Sequence, residues 1–146
     1  MAFLKVGAAT PPKKQRLYIL DIELPSGMRV TKIGKASGAS SKERMLQING
    51  SIFDKFRCTA KISIKRDREI DADKVFKYET LLHRFFSDYK YESAHKWDGC
   101  TEAFCVPIED AKAAYDLIIE GNEPDFTYTL PGTSDEQIEM IDRLGF

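Results

Sequence analysis

Strand-like and helix-like spacings of hydrophobic residues follow one another along this chain. Leu17-Tyr-Ile-Leu-Asp-Ile-Glu23 is rich in β-formers, Pro25-Ser26-Gly27 is turn chemistry, and Met28-Arg-Val-Thr-Lys-Ile-Gly-Lys35 reads as a returning strand. The pattern predicts a β-hairpin. With residues 25–27 as its loop, Leu24 faces Met28, Leu20 faces Lys32 and Tyr18 faces Gly34, which sets Tyr18 and Lys32 on one face of the sheet. A two-residue loop would break that pairing. Further on, Ala60, Ile62 and Ile64 alternate with Lys61, Ser63 and Lys65, the period of a half-buried third strand.

The helical stretches are marked by their ends. Ser40-Ser-Lys-Glu43 reads as a capping box opening a short helix through Arg44-Met-Leu-Gln-Ile48, with Asn49-Gly50 as its stop. Asp71 is placed to cap the longest helix, whose stripe Val75, Tyr78, Leu82, Phe85 and Tyr89 steps by three and four residues and carries it to about Tyr89. Glu102 to Val106 reads as a short strand. Pro107 opens a last helix with Ile108, Ala111, Tyr115 and Ile118 on one side, stopped by Gly121. The expected fold is α/β of the α+β kind, a small three-stranded antiparallel sheet flanked by helices over residues 17–121. Residues 1–16, with Pro11-Pro12 and Lys13-Lys14, read as an N-terminal arm. Residues 122–146 read as an acidic tail with a short amphipathic helix at Ser134 to Leu144.

Composition narrows the class. A chain of 146 residues, 42% of them hydrophobic, can bury one core without disulfides or metal staples. No apolar run approaches the roughly 18 residues of a membrane span, and the start lacks the signature of a secretion signal. A cytoplasmic protein is expected, with Cys58, Cys100 and Cys105 as free thiols. The spacing of those cysteines and His95 matches none of the usual zinc pairs. Trp97 and Phe104 suit a core better than a base-stacking surface.

The net charge of −1 conceals a division: residues 1–66 hold 14 Lys/Arg against 4 Asp/Glu, and residues 67–146 hold 8 against 19. Either the basic half meets a polyanion, or the halves mix once folded.

Tyr18, Lys32-Ile33-Gly34, Arg44, Glu79, Leu82-His83, Phe86 and the trailing Glu102-Ala103-Phe104 stand in an order that resembles the GIY-YIG nuclease family. The resemblance covers roughly Leu17 to Val106 and is closest to a phage and bacterial branch whose second motif reads Lys-Ile-Gly. It implies a metal-dependent endonuclease, encoded by a phage or mobile element and cutting DNA, with one Mg²⁺ or Mn²⁺ held by Glu79. In that reading Tyr18 positions or deprotonates the attacking water, Lys32 activates Tyr18, Arg44 offers its fork to the scissile phosphate, and His83 orients a phosphate or water. Such an allocation suits the reaction. A phosphodiester repels its nucleophile, so the site must relieve charge on the phosphoryl oxygens and assist the water. Lys35, Lys42, Lys61 and Lys65 are the candidate DNA contacts.

The chain carries no evident zinc finger or helix-turn-helix, so specificity would come from DNA structure, from a homodimer or from a protein partner. The rival reading is a catalytically weak DNA-binding or regulatory protein on the same scaffold. Its acidic segment, residues 107–146 with 10 Asp/Glu against 2 Lys/Arg, would dock a partner or shield the DNA face.

Overall fold

A computed structural model describes residues 14–37, 40–92, 95–122 and 128. Most of the expected N-terminal arm and nearly all of the acidic tail, its Ser134 to Leu144 helix included, lie outside the described residues. Four strands form one antiparallel sheet: β1 (Lys14–Glu23), β2 (Arg29–Ala36), β3 (Lys61–Asp71) and β4 (Ala103–Phe104), in the spatial order β3-β1-β2-β4. Three helices flank it: α1 (Lys42–Phe56), α2 (Ala72–Phe85) and α3 (Ile108–Ile119). The architecture is the expected α+β kind, with β4 added as a fourth strand that pairs with β2 only at Thr31 and Lys32.

The hairpin has the expected register. Leu24 donates to the Met28 carbonyl at 2.8 Å, Gly27 (φ 90°) closes the turn onto Leu24, and the pairs Leu20↔Lys32 and Tyr18↔Gly34 follow. β1 starts at Lys14, three residues before the expected Leu17, because Lys14 to Arg16 pair with Glu69 to Asp71 of β3. β3 therefore runs well past Lys65. A bulge between Ile19 and Leu20 lets it follow β1 along its whole length.

Alternation gives the sheet two buried faces. Leu17, Ile19 and Ile33 pack with Val75, Leu82 and Phe86 of the α2 region and with Ala111, Tyr115 and Ile118 of α3. Tyr18, Leu20, Ile22 and Val30 face Ile48 and Ile52 of α1, with Trp97 and Cys100. Trp97 and Phe104 are thus core residues. Burial of each large side chain here contributes about 1.5–3 kcal/mol. Tyr115 adds a hydrogen bond to the Leu17 carbonyl at 2.8 Å, pinning α3 to β1.

Two helix ends differ from expectation. α1 does not stop at Asn49-Gly50 but continues to Phe56, ending where Arg57 turns left-handed at φ 56°. The Asn49 amide is spent elsewhere: its oxygen accepts from the Ala60 N–H at 2.9 Å and its nitrogen donates to the Ala60 carbonyl at 3.2 Å. The capping box does not form either. The Ser41 N–H and hydroxyl both donate to Asp67 of β3, at 2.9 Å each, so a distant carboxylate holds the helix entry. At the other long helix, α2 ends at Phe85 and a 3-10 turn, Ser87–Tyr89, completes the predicted span.

Candidate functional site

Tyr18 and Lys32 sit diagonally across β1 and β2, and both are buried, at 1% and 0% exposure. The Lys32 ammonium lies 5.4 Å from the centroid of the Tyr18 ring, which favours the cation. Their polar ends converge over Gly34. A Cβ at that position would fall 2.5 Å from the Tyr18 hydroxyl and 2.7 Å from Lys32 Nζ, so the missing side chain is the space in which the two groups meet. Gly99, at φ 90°, covers the lysine stem from above; a Cβ there would fall 2.6 Å from Lys32 Cε. Lys32 donates to Glu102 Oε1 at 3.0 Å, which compensates the buried ammonium.

Arg44 reaches the same place from α1. Its guanidinium takes both oxygens of Asp98 in a two-pronged pair, at 2.5 and 3.0 Å, near the Tyr18 side chain. The Asp98 pairing holds the Arg44 pKa above its ordinary value and the Asp98 carboxyl below its own. Asp98 is itself held by its N–H, which donates to the Ser51 hydroxyl of α1 at 2.8 Å. Beside Arg44 a pocket of about 310 Å³ opens to solvent, lined by Lys35, Ser37, Ser40 and Gln47 among others.

Glu79 and His83 approach from the other side of the sheet. One turn apart on α2, they meet Glu102, and one ligand atom from each of the three lies within 4.8 Å of the others. It is the one such group of metal-ligating side chains among the described residues. Glu79 is buried, and its Oε2 meets no hydrogen-bond donor among the described residues. Burial first, and the neighbouring Glu102 second, push its pKa up, against the opposing pull of His83, Lys35 and Lys32. His83 Nε2 donates to the Ile33 carbonyl at 2.8 Å, immediately past the point where β4 stops pairing with β2. The abrupt end of β4 brings the two faces of the sheet into contact here, with Glu102 touching both groups.

Tyr18, Lys32, Arg44, Glu79 and His83 are thus gathered around one sheet edge. The four lysines are not. Lys35 lies at that edge, its ammonium 5.2 Å from the Phe76 ring centroid, and Lys42 opens α1. Lys61 and Lys65 lie on β3, at the opposite edge of the sheet, where Lys61 faces Glu23 at 3.7 Å. The charge halves also mix: Arg16 pairs with Asp67, Lys32 with Glu102, Arg44 with Asp98 and Arg66 with Asp116. Sequence reasoning missed Asp98 as the partner of Arg44 and read Glu102 only as part of a motif. Each pairing spans more than fifty residues, so no local spacing announces it. His95, set beside the cysteines by sequence, meets Phe56 edge-on.

Comparison with known proteins gives one match, the T5orf172 domain, whose family model covers residues 15–119. No curated protein and no solved structure matches the chain. The finding corrects the resemblance drawn from the short motifs: T5orf172 is a different domain family from GIY-YIG, and no GIY-YIG model matches. Motifs of one to three residues, even in that order from Tyr18 to Phe104, are too brief to separate families, whereas the family model matches continuously over residues 15–119.

Proposed function

This chain belongs to the T5orf172 domain family, and from that premise we propose that it hydrolyses DNA phosphodiester bonds with the help of one divalent cation, Mg²⁺ or Mn²⁺, at Glu79. The family is nuclease-like and DNA-binding in kind, which supports a function exerted on DNA. One observation carries the finer reading: a phenol and an ammonium converge over Gly34, with the Arg44 guanidinium held nearby by Asp98, while a buried carboxylate oxygen without a donor among the described residues lies on the adjoining face.

That oxygen fits a hard cation, since a buried acceptor left unsatisfied costs about 1–3 kcal/mol and a cation removes the cost. Bound there, the cation would supply Lewis-acid relief of phosphoryl charge. The protein does the rest. Tyr18 orients the attacking water and, as a phenolate stabilised by the Lys32 ammonium, takes its proton and becomes the neutral phenol. Arg44 exchanges Asp98 for the scissile phosphate, whose oxygens fit the same planar fork. Lys35 and Lys42, on the rim, steer the polyanion in.

Cleavage of supercoiled and branched DNA with Mg²⁺ or Mn²⁺ tests this reading. Nicking that disappears in Glu79→Ala and in EDTA is the expected result. The second reading, a DNA-binding or regulatory protein without turnover, draws on the fact that Lys32 and Arg44 are both neutralised by carboxylates of one short segment, Glu102 and Asp98. Intact DNA binding with no cleavage of any substrate would select it.

A further inference from the structure

The surroundings of Glu79 say more about the cation than its charge. Glu79 is 8% exposed, and its Oε2 has no donor among the described residues. His83, one turn further along α2, gives a second and independent sign. A carbonyl only accepts, so the 2.8 Å contact of Nε2 with the Ile33 oxygen spends the ring N–H and leaves Nδ1 as a lone pair. Imidazoles that ligate metals are held in this way, the second nitrogen donating to a carbonyl or carboxylate. Glu102 supplies the third group. Its Oε1 accepts from Lys32 at 3.0 Å, and Oε2 has no hydrogen bond among the described residues.

We propose that Glu79, His83 and Glu102 form a cation site of one nitrogen and two carboxylate ligands that selects a first-row transition cation such as Mn²⁺ over Mg²⁺, with Lys32 orienting Glu102. The proposal deepens the Glu79 reading above and rests on it for the presence of a cation. One ring nitrogen of His83 and one carboxylate oxygen each from Glu79 and Glu102 already lie within 4.8 Å of one another. Ligands around a cation at bond lengths of about 2.1 Å sit roughly 3 Å apart when adjacent and 4.2 Å apart when opposite, so a small rotamer change in Glu102, 34% exposed, closes the site. Selectivity follows from the imidazole. Mg²⁺ keeps its waters and favours an all-oxygen octahedron, while a nitrogen donor favours the transition cations. Lys32 leaves one Glu102 oxygen for the cation and fixes the other, the part that residues behind a ligand play in tuning affinity.

The test uses the full chain without DNA: electron paramagnetic resonance titration of Mn²⁺, with Mg²⁺ as competitor, on the wild type, Glu102→Gln and His83→Asn. One Mn²⁺ site is expected, bound at least about tenfold more weakly in either variant, with His83→Asn losing most of the preference over Mg²⁺. Thermal unfolding shows that each variant is folded. A wild-type measurement stands beside them: substoichiometric Mn²⁺ should broaden the His83 ring signals in an NMR spectrum before those of His95. Equal affinity for the two cations, unchanged binding in both variants, or simultaneous broadening of both histidines would overturn the proposal. So would the absence of binding without DNA, in which case the cleavage assay run in parallel decides whether Glu79 still serves a cation brought by the substrate.

Discussion

Gly34 shows how narrowly the site is drawn at the level of single side chains. An added methyl there must displace the Tyr18 hydroxyl or Lys32 Nζ, and both are buried with little room to yield. Gly34→Ala is expected to destabilise the fold by about 1–3 kcal/mol and to lower any turnover by roughly a hundredfold, measured by denaturant unfolding and by cleavage rate. Asp98→Asn acts in the opposite sense. It removes the charge that holds the Arg44 fork, and DNA affinity should rise by about fivefold, or roughly 1 kcal/mol, in a low-salt binding titration. An unchanged affinity would mean that DNA does not approach Arg44. Single residues were also the scale at which sequence was most legible. Turn chemistry at Pro25-Ser26-Gly27 set the hairpin register, and that register placed Tyr18 beside Lys32. Glu79 and His83 were singled out by the resemblance to a known family, and helical spacing set them one turn apart. Asp98 and the Lys32–Glu102 contact did not, because they depend on chain segments brought together only by the completed fold.

Among the elements, α1 departs most from its local signals. Asn49-Gly50 has the composition of a helix end, yet the Asn49 side chain is engaged by the backbone of Ala60, and the helix passes straight through Gly50. Tertiary contact overrides propensity here. Nothing lies within 4 Å of a Cβ placed at Gly50, so Gly50→Ala should stabilise the protein by about 0.5–1 kcal/mol, seen as a raised unfolding midpoint. β4 was legible only as the segment Glu102 to Val106. Its two paired residues are too few for alternation to mark, and what ties the segment down is the buried bond from the Thr31 hydroxyl to the Val106 carbonyl at 3.0 Å. The family, too, lay beyond the short motifs: the family-model match across residues 15–119 is to T5orf172, where an ordered set of brief motifs pointed elsewhere.

Across the whole molecule, the basic and acidic halves of the sequence are stitched together rather than held apart. Asp67 is the clearest stitch, accepting from Arg16 at 2.6 Å and from Ser41 twice, so that one carboxylate joins β1, β3 and the start of α1. Burial alone would raise its pKa; the Ser41 N–H and the Arg16 guanidinium outweigh burial and hold it below the ordinary value. A carboxyl with a depressed folded pKa contributes stability that is complete above its unfolded value and is lost as pH falls through the folded one. Asp98 and Asp116, both depressed by paired arginines, act in the same direction. Stability should therefore be level near neutrality and decline below about pH 4, and Asp67→Asn should flatten that decline while costing about 2 kcal/mol at pH 7, measured by urea unfolding across pH.

The shortness of β4 bears on when the site exists at all. Strands β1 to β3 are laced over most of their lengths, whereas the segment bearing Asp98 and Glu102 has only two residue pairs with β2 and is held mainly by side chains: Trp97 and Phe104 in the core, the Thr31–Val106 bond, and the Arg44–Asp98 and Lys32–Glu102 pairs. A segment anchored by buried side chains opens only when that packing is given up. Such an opening would carry off Glu102 and uncover Arg44 in one event, so the lifetime of the assembled centre is set by the durability of the core beneath it and not by the two-residue strand.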